Sequence, residues 1–373
     1  MTAQIEIPGY SMVNKIAEGG MAEVWKARQE QLDRVVAIKV LHKQPETDHQ
    51  EYARFIYEAR AAATLIHPNV VQVIDAGEFD DFLYYVMEYV PGPTAGDVVD
   101  HDGALPESRV LKIAEEVAEA LQYAWRDHKV VHCDIKPDNL LLHRNGRTKI
   151  ADLGLAQVLG KDGAGVDDDM TLGTPNYFPP EQALVEDPLD CRTDMYALGA
   201  TMYHLATGVI PFGDLTPDDV ASEQVHGQLP NPKEVNPRLT WGFCCLVERL
   251  MAKKTDDRYA EWAEVIADIQ SVCDGKLIKS PLPEETRSTV MHTLLPASLE
   301  KSQKIMNRRL AATRSIRLET GNTRPRGVHV NATSMARTRR LQKEILTPPE
   351  TIWPQVIGLA VLAAMMYSWT FFK

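Results

Sequence analysis

The chain has 373 residues, of which 44% are hydrophobic and 25% are charged, so it is long and apolar enough for one large or two linked globular domains. Its net charge of -12 is unevenly spread, since residues 1–275 hold 24 basic and 46 acidic residues whereas 276–350 hold 15 basic and 6 acidic ones. The five cysteines are odd in number and show no CxxC spacing, which argues against a disulfide framework and a structural zinc site and fits a reducing compartment.

The N-terminal part of the chain is predicted to be a small β-rich unit. Its first ten residues, MTAQIEIPGY, lack the basic start and the apolar core of a signal peptide. Val35–Val40 and Leu83–Val90 are apolar runs typical of strands. Between them the sequence predicts a helix, because apolar residues recur at helical spacing at Tyr52, Phe55, Ile56, Ala59, Ala62, Ala63 and Ile66.

The following part is predicted to be mostly helical. Residues 106–126 have a helical period, and further helical patterns between 190 and 272 are broken by turns such as GVIPFGD. The sequence therefore predicts an α+β protein in which a β-rich lobe, 10–90, precedes a larger α-rich lobe, 91–272. The apolar positions of the first helical pattern are Val110, Ile113, Ala114, Val117, Leu121 and Ala124.

Residues 276–350 are predicted to form a basic, mostly disordered linker. Apolar periodicity fades there, and Arg, Ser, Thr, Pro and Asn follow in irregular order. A basic run can bind nucleic acid, but no aromatic residues alternate with these arginines as stacking platforms. We therefore favour contact with anionic lipid headgroups and predict no nucleic-acid partner.

Residues 352–372 read IWPQVIGLAVLAAMMYSWTFF and contain no charged residue. A helix of this length spans about 31 Å, which matches a bilayer core of about 30 Å. Trp353 at one end, and Tyr367 and Trp369 at the other, fit aromatic belts. A buried amphipathic helix is the alternative, but the segment has no polar face. We predict a C-terminal transmembrane helix, a tail anchor of a single-pass cell-membrane protein, with residues 1–350 cytoplasmic by the positive-inside rule.

Eight features follow one another between Ile16 and Arg258, and their order and spacing are far more specific than any one of them. They are IAEGGMAEVW (Ile16–Trp25), VAIK ending at Lys39, Glu58 on the predicted helix, HCDIKPDN ending at Asn139, DLG from Asp152, GTPNYFPPE ending at Glu181, DMYALG from Asp194, and DDRY with Arg258. Over residues 10–272 the chain resembles the eukaryotic-like protein kinase family, in its bacterial serine/threonine branch.

The resemblance implies a bilobal protein-kinase fold that transfers a phosphoryl group from ATP, a task that needs positioning and charge compensation more than covalent help. Lys39 would bind the α- and β-phosphates and be held by an ion pair with Glu58. Asp134 would accept or orient the proton of the incoming hydroxyl, and Lys136 would neutralise the γ-phosphate.

The resemblance also implies where ATP and Mg²⁺ bind. Asn139 and Asp152 would be the metal ligands, since oxygen atoms suit this hard cation. Glu88–Val90 resembles the hinge, whose backbone groups pair with adenine, and Met87 resembles the gatekeeper residue. The nucleotide site would comprise Ile16, Ala17, Glu18, Gly19, Val24, Ala37, Lys39, Met87, Glu88 and Val90.

The expected acceptors are serine and threonine hydroxyls of proteins. Lys136 and Thr174 both resemble residues that accompany serine/threonine kinases. Serines and threonines of the basic linker are candidate autophosphorylation sites, because the tether keeps their effective concentration high. Two structural roles are also implied: Glu181 with Arg258 resembles a buried ion pair, and Asp194 resembles the residue that holds the catalytic loop.

Two positions depart from the family's pattern. The three glycine positions of the phosphate-binding loop hold Ala17, Gly19 and Ala22, which is expected to weaken ATP binding somewhat without abolishing it. Cys133 stands where regulated kinases carry an arginine, and residues 152–170 contain no Ser, Thr or Tyr. We therefore expect activity that needs no phosphate on the activation loop.

Two alternatives stay open. The altered glycine loop and Cys133 also fit a pseudokinase that scaffolds partners at the membrane. A kinase acting on small molecules can share a similar core, although GTPNYFPPE and DMYALG resemble a platform for protein substrates.

Overall fold

An antiparallel sheet of five strands forms the N-terminal lobe of the protein, whose computed structural model describes residues 5–18, 22–43, 49–152, 157–158, 174–184, 189–284, 287–294 and 296. All of them lie in one compact unit, Met1–Arg314. The strands are β1 Tyr10–Glu18, β2 Ala22–Gln29, β3 Arg34–His42, β4 Val73–Phe79 and β5 Phe82–Glu88, in the order β1-β2-β3-β5-β4. Alternate residues of β3 and β5, including Val36, Ile38, Val40 and Val86, are fully buried in the core of the sheet.

Helix α1, His49–Thr64, lies between β3 and β4 in the chain and packs on the sheet through Phe55 and Ala59. Its predicted apolar face is partly wrong. Ile56 keeps 38% of its surface exposed, Ala63 is also exposed, and Ile66 is 74% exposed because the helix ends two residues before it. The face that turns inward instead carries a carboxylate, Glu58, which is 5% exposed.

The second lobe is built from helices around a large apolar core, which confirms the predicted bilobal arrangement for the described residues. The predicted apolar face of residues 106–126 is buried throughout, and the helix runs from Glu107 to His128. The helices are α2 Ala95–Asp102, α3 Glu107–His128, α4 Pro180–Ala183, α5 Cys191–Thr207, α6 Pro217–His226, α7 Pro232–Val235, α8 Trp241–Leu250 and α9 Trp262–Cys273. None of the five cysteines, all of which are described, forms a disulfide.

Two short two-stranded sheets flank the loop that follows helix α3. Strand β6, Val130–Val131, pairs with β9, Gln157–Val158, and β7, Leu140–Leu142, pairs with β8, Thr148–Ile150. The chain between β6 and β7 contains a single 3₁₀ turn, Pro137–Asn139. These sheets fix both ends of the segment that carries the predicted catalytic residues.

The first part of the predicted linker, 276–350, packs against the helical lobe. Ile278, Ser288, Thr289 and Val290 are fully buried, and the segment Arg287–Thr293, here called the C-terminal strap, lies against the helical lobe. Val290 forms a parallel bridge with Leu229, and Ser288 an antiparallel bridge with Ala252. Because backbone and hydroxyl groups make most of these contacts, the segment carries little apolar periodicity.

The rest of the linker and the predicted transmembrane helix, 352–372, lie outside the described residues. Among the helices that the structure does describe, none is both long enough and apolar enough to cross a membrane.

Candidate active site

Lys39 lies near the middle of β3 and joins two carboxylates. Its Nζ is 2.7 Å from Glu58 Oε1 on α1 and 2.6 Å from Asp152 Oδ1, so the predicted ion pair with Glu58 is present. Tyr85, which faces Lys39 across the β3–β5 register, donates from its hydroxyl to Glu58 Oε1 at 2.6 Å. The sheet, the helix and the loop after β8 thus meet at one ammonium group.

The charges of Lys39, Glu58 and Asp152 influence one another's pKa values. Burial opposes the charge of Lys39, but Asp152 and Glu58 outweigh it and raise the pKa of the ammonium. Burial raises the pKa of Glu58 against the opposing attraction of Lys39. Burial acts in the same direction on Asp152, but there the attraction of Lys39 wins and lowers the pKa of the carboxyl. Lys39 therefore stays cationic, as phosphate binding requires.

The segment from Asp134 to Asn139 forms a second cluster. Lys136 Nζ is 2.9 Å from Asp134 Oδ2. Asn139 Nδ2 donates to the backbone oxygen of Asp134 at 2.8 Å and to Asp134 Oδ2 at 2.9 Å. Lys136 Nζ also lies 3.5 Å from Thr174 Oγ1, the threonine that the sequence predicts beside it. One carboxylate oxygen of Asp134 is thus fixed by two donors.

Asp194 on α5 binds the backbone of the two residues that precede Asp134. The N–H groups of His132 and Cys133 donate to its two carboxylate oxygens, each at 2.8 Å. Burial raises the pKa of Asp194 to about 7, although both hydrogen bonds favour the charged form. The support role that the sequence predicts for Asp194 is therefore visible in the geometry.

Two site residues have a left-handed backbone. Cys133 has φ of 65° and Asp152 has φ of 56°, values that are uncommon outside glycine. The hydrogen bonds of Asp194 hold Cys133 in this conformation, and its side chain is buried in an apolar cluster with Val131 and Leu189. Such strained positions cluster at functional sites.

Asn139 and Asp152 fit a magnesium ion by their donor atoms. The amide nitrogen of Asn139 is used by Asp134, which leaves its amide oxygen to bind a cation. Asp152 uses Oδ1 toward Lys39, so Oδ2 would be the carboxylate oxygen that binds a metal. Two oxygen donors from separate loops suit a hard cation that retains waters.

Five of the nucleotide residues predicted around the sheet share one face of it, but Glu18, which pairs with Glu23, lies on the other face. Val24 pairs with Ala17 and with Lys39, and Ala37 pairs with Met87. Ile16 and Glu18 lie at the exposed end of β1, and Val90 is buried after β5. Gly19 lies outside the described residues.

Glu88 does not direct its side chain to the nucleotide face. Its carboxylate is 2.9 Å from Lys149 Nζ on β8, and its backbone N–H donates to Gln72. Glu88 therefore ties β5 to β8 through its side chain, and the predicted pairing with adenine concerns its backbone only.

Glu181 and Arg258 form the predicted buried ion pair. The two guanidinium nitrogens of Arg258 lie 2.6 and 2.8 Å from the two carboxylate oxygens of Glu181. The side chain of Arg258 is fully buried. Such a bidentate pair fixes the segment after Thr174 to the body of the helical lobe.

Sequence reasoning missed Tyr85 as a partner of Glu58. Strand alternation places Tyr85 on the same face as Met87, but nothing local indicates a hydrogen bond to a residue 27 positions away. Only the pairing register of β3 and β5, which sets Tyr85 opposite Lys39, would have found it.

The geometry defines a class of protein: a bilobal fold with a lysine held between two carboxylates and an Asp–Lys–Asn cluster beneath it is a protein kinase domain. The family model described as "Protein kinase domain" matches residues 10–291, so the chain belongs to this family. The match extends beyond the predicted boundary at 272 and includes much of the C-terminal strap.

Similar proteins are bacterial serine/threonine kinases. The chain is 36% identical to PknB of Mycolicibacterium smegmatis, over 73% of this chain and 44% of that protein, and 35% identical to PrkC of Bacillus subtilis, over 71% and 41%. The PknI kinase domain of Mycobacterium tuberculosis superposes with a TM-score of 0.56 at 27% identity, covering 73% of this chain and 99% of that one. The chain thus spans less than half the length of these curated relatives and belongs to their bacterial serine/threonine branch.

Proposed function

We propose that this protein is an ATP- and Mg²⁺-dependent kinase that phosphorylates serine and threonine hydroxyls of proteins. The observation that carries the proposal is Lys39, held 2.7 Å from Glu58 and 2.6 Å from Asp152. In the kinase family this arrangement accompanies a site prepared to receive phosphates.

Each residue of the site would have a distinct role in phosphoryl transfer. Lys39 would bind the nonreacting phosphates. Asp134 would accept the proton of the acceptor hydroxyl at Oδ1, while Lys136 and Asn139 hold its Oδ2. The cation of Lys136 would offset charge on the transferred group. Mg²⁺, when bound by Asn139 and Asp152, would neutralise and orient the phosphates.

Hydroxyl acceptors on serine and threonine are favoured by two observations. Thr174 lies beside Lys136, as the resemblance to serine/threonine kinases implies. The relatives PknB and PrkC are named serine/threonine-protein kinases. The buried Glu181–Arg258 pair gives the segment after Thr174 the rigidity that a protein acceptor would need.

The proposal includes activity without an activation-loop phosphate. Cys133 carries no charge and is packed among apolar side chains, so position 133 supplies no cation that a phosphate on the activation loop would have to neutralise. Thr171, the first hydroxyl-bearing residue after Asp152 in the sequence, lies outside the described residues. Thr171→Ala should retain most of the activity of the unchanged chain, and loss of nearly all of it would contradict this part of the proposal.

Membrane attachment also belongs to the proposal. Its support is the uncharged segment 352–372 and the basic stretch before it, which would contact anionic lipids. The kinase domain would then act on the cytoplasmic side.

Transfer of labelled phosphate from ATP and Mg²⁺ tests the activity. The full chain is offered myelin basic protein as a generic acceptor, with Asp134→Asn as the matched control that keeps size and one oxygen. Incorporation on Ser or Thr that disappears in the control supports the proposal. Bound ATP without transfer would favour the scaffold, and transfer to a small metabolite but not to protein would favour a small-molecule kinase.

A further inference from the structure

A buried series of hydrogen bonds connects the C-terminal strap with the loop 174–177. The hydroxyl of Tyr196 on α5 lies 3.0 Å from Thr289 Oγ1 and donates to Gln224 Oε1 on α6. Gln224 Nε2 in turn donates to the backbone oxygens of Pro175 and Asn176, at 3.1 and 2.8 Å. Four separate segments of the chain are thereby joined in one line.

The donors and acceptors of this series fit together in one direction. The hydroxyl of Thr289 can donate to Tyr196, which donates to Gln224, and the two amide hydrogens of Gln224 satisfy two backbone carbonyls. All three side chains belong to residues that are at most 1% exposed, so bulk water cannot replace a missing partner. Loss of one hydroxyl would leave a buried polar atom unsatisfied, which loosens the groups that it holds.

The loop at the end of this series adjoins the catalytic cluster. Thr174 lies 3.5 Å from Lys136, and the N–H of Phe178 donates to the same backbone oxygen of Pro175 that Gln224 binds. The position of Pro175 therefore depends on Gln224 at a point where an acceptor polypeptide would approach Asp134.

The strap itself is fixed independently of this series. The N–H of Thr289 donates to Met251, and the N–H of Leu229 donates to the backbone oxygen of Thr289 at 2.6 Å. Farther along, Thr293 donates from its N–H to Glu248 and accepts from Asn231. A change confined to the Thr289 hydroxyl thus leaves the main-chain attachments of the strap in place.

We propose that Thr289 is a positioning residue for the protein acceptor, acting through Tyr196 and Gln224 on the loop 174–177. The proposal rests on the proposed kinase function and deepens it, because it assigns part of acceptor recognition to a segment beyond the last helix. It concerns the polypeptide acceptor and not ATP, since the series ends at Pro175 and Asn176 and does not reach Lys39.

Steady-state kinetics of the full chain test this assignment. Thr289→Val removes the hydroxyl and keeps the branched shape, Thr289→Ser keeps the hydroxyl, and Thr293→Val removes a different buried hydroxyl of the same strap. Thr289→Val is expected to raise KM for myelin basic protein about fivefold, with KM for ATP unchanged and Thr289→Ser close to the original chain. An equal rise in Thr293→Val would overturn the proposal in favour of general loosening of the strap.

Hydrogen–deuterium exchange provides a readout that does not need catalysis. The amide of Phe178, which donates to Pro175, should exchange about fivefold faster in Thr289→Val than in Thr289→Ser. If Thr289→Val does not fold, Tyr196→Phe interrupts the same series at its centre and is expected to give the same result. Unchanged exchange of the Phe178 amide in Thr289→Val would overturn the proposed coupling. If this amide exchanges faster in the variant but the original chain transfers no phosphate, the coupling is supported and the kinase function is rejected.

Discussion

The position and the charge of Lys39 depend on Glu58. Glu58 is 5% exposed and accepts hydrogen bonds from both Lys39 and Tyr85. Glu58→Gln keeps the shape but removes the negative charge that holds the ammonium. We expect kcat/KM for ATP to fall about 10- to 100-fold, because a hydrogen bond to a charged group contributes about 1.5–3 kcal/mol. Initial rates at varied ATP concentrations measure this.

Tyr85→Phe is the matched control, since it removes one hydrogen bond to Glu58 and leaves the carboxylate charged. A fall of less than about fivefold is expected there, because the ion pair between Lys39 and Glu58 remains. Chemical denaturation of both variants checks that folding is retained. Equal losses in the two variants would mean that packing around Tyr85, and not the charge of Glu58, positions Lys39.

Lys253, close to the C-terminal strap, should make stability depend on pH. Its Nζ lies 3.2 Å from the backbone oxygen of Gln224, and burial, opposed by Glu223, lowers its pKa to about 8. The folded protein then releases this proton at lower pH than the unfolded chain does. The contribution of Lys253 to the free energy of unfolding should therefore rise with pH by roughly 1 kcal/mol per unit between about 8.5 and 10, and this contribution is lost as pH falls through 8.

Urea denaturation at several pH values measures this slope. Lys253→Met keeps the aliphatic length without the charge and should make the slope of the unfolding free energy against pH lower than in the original chain by that amount. Lys254→Met, at the exposed neighbouring position, serves as the control and should leave the slope unchanged. A Lys253→Met variant with the original slope would show that Lys253 is not the titrating group.

The backbone conformation of the two alanines of the phosphate-binding loop is set by strands β1 and β2. Ala17 pairs with Val24 and Ala22 pairs with Leu41, and neither alanine has a positive φ. Both positions accept alanine without backbone strain, so the freedom of glycine is not needed there. The double change Ala17→Gly and Ala22→Gly should alter the Kd for ATP by less than about threefold and cost about 1–2 kcal/mol of stability.

Calorimetric titration with ATP and urea denaturation measure the two effects. Ala76→Gly, an exposed strand position of the same sheet away from this loop, controls for the general cost of glycine in a strand. A tenfold or larger gain in ATP affinity in the double variant, without a gain in the control, would show that the alanines do restrict nucleotide binding.

Elements with a clear period could be predicted from the sequence because one face of each meets a core. The helix α3 has its predicted positions buried, and β3 and β5 lie where apolar runs predict strands. The motifs placed Lys39 and Glu58 together because their spacing fits a strand followed by a helix. Local pattern and tertiary packing agree in these elements.

The C-terminal strap could not be predicted in this way. Ser288, Thr289 and Thr293 are buried by hydrogen bonds, and a polar sequence without a period resembles a linker. Ile66 shows the opposite error, since it continues the apolar spacing of α1 but lies past its end. Both errors arise because tertiary partners, which the local sequence does not contain, decide burial.

The charge of the chain is divided between two parts. Residues 1–275 carry 46 acidic and 24 basic residues, and 276–350 carry 15 basic and 6 acidic ones. An acidic kinase domain is repelled by an anionic lipid surface, whereas the basic stretch is attracted to it within about one Debye length. Because the strap fixes the beginning of the basic stretch to the helical lobe, lipid contact would begin beyond it.

Flotation of the full chain with lipid vesicles tests membrane attachment. With segment 352–372 present, the protein should stay with both neutral and anionic vesicles even at about 1 M salt, where the Debye length is only about 3 Å. A variant lacking this segment should bind anionic vesicles alone, through its basic residues, and should be released as salt rises. The contrast separates an inserted helix from surface attraction.

A variant with the arginines of 308–340 changed to glutamine supplies the reciprocal control. It should still float with neutral vesicles, since an apolar helix contributes far more to membrane affinity than about 1 kcal/mol per basic residue. Release of the full chain by high salt would refute insertion and leave a peripheral protein held by charge. Failure to float under any condition would remove the membrane from the proposed function while leaving phosphate transfer untouched.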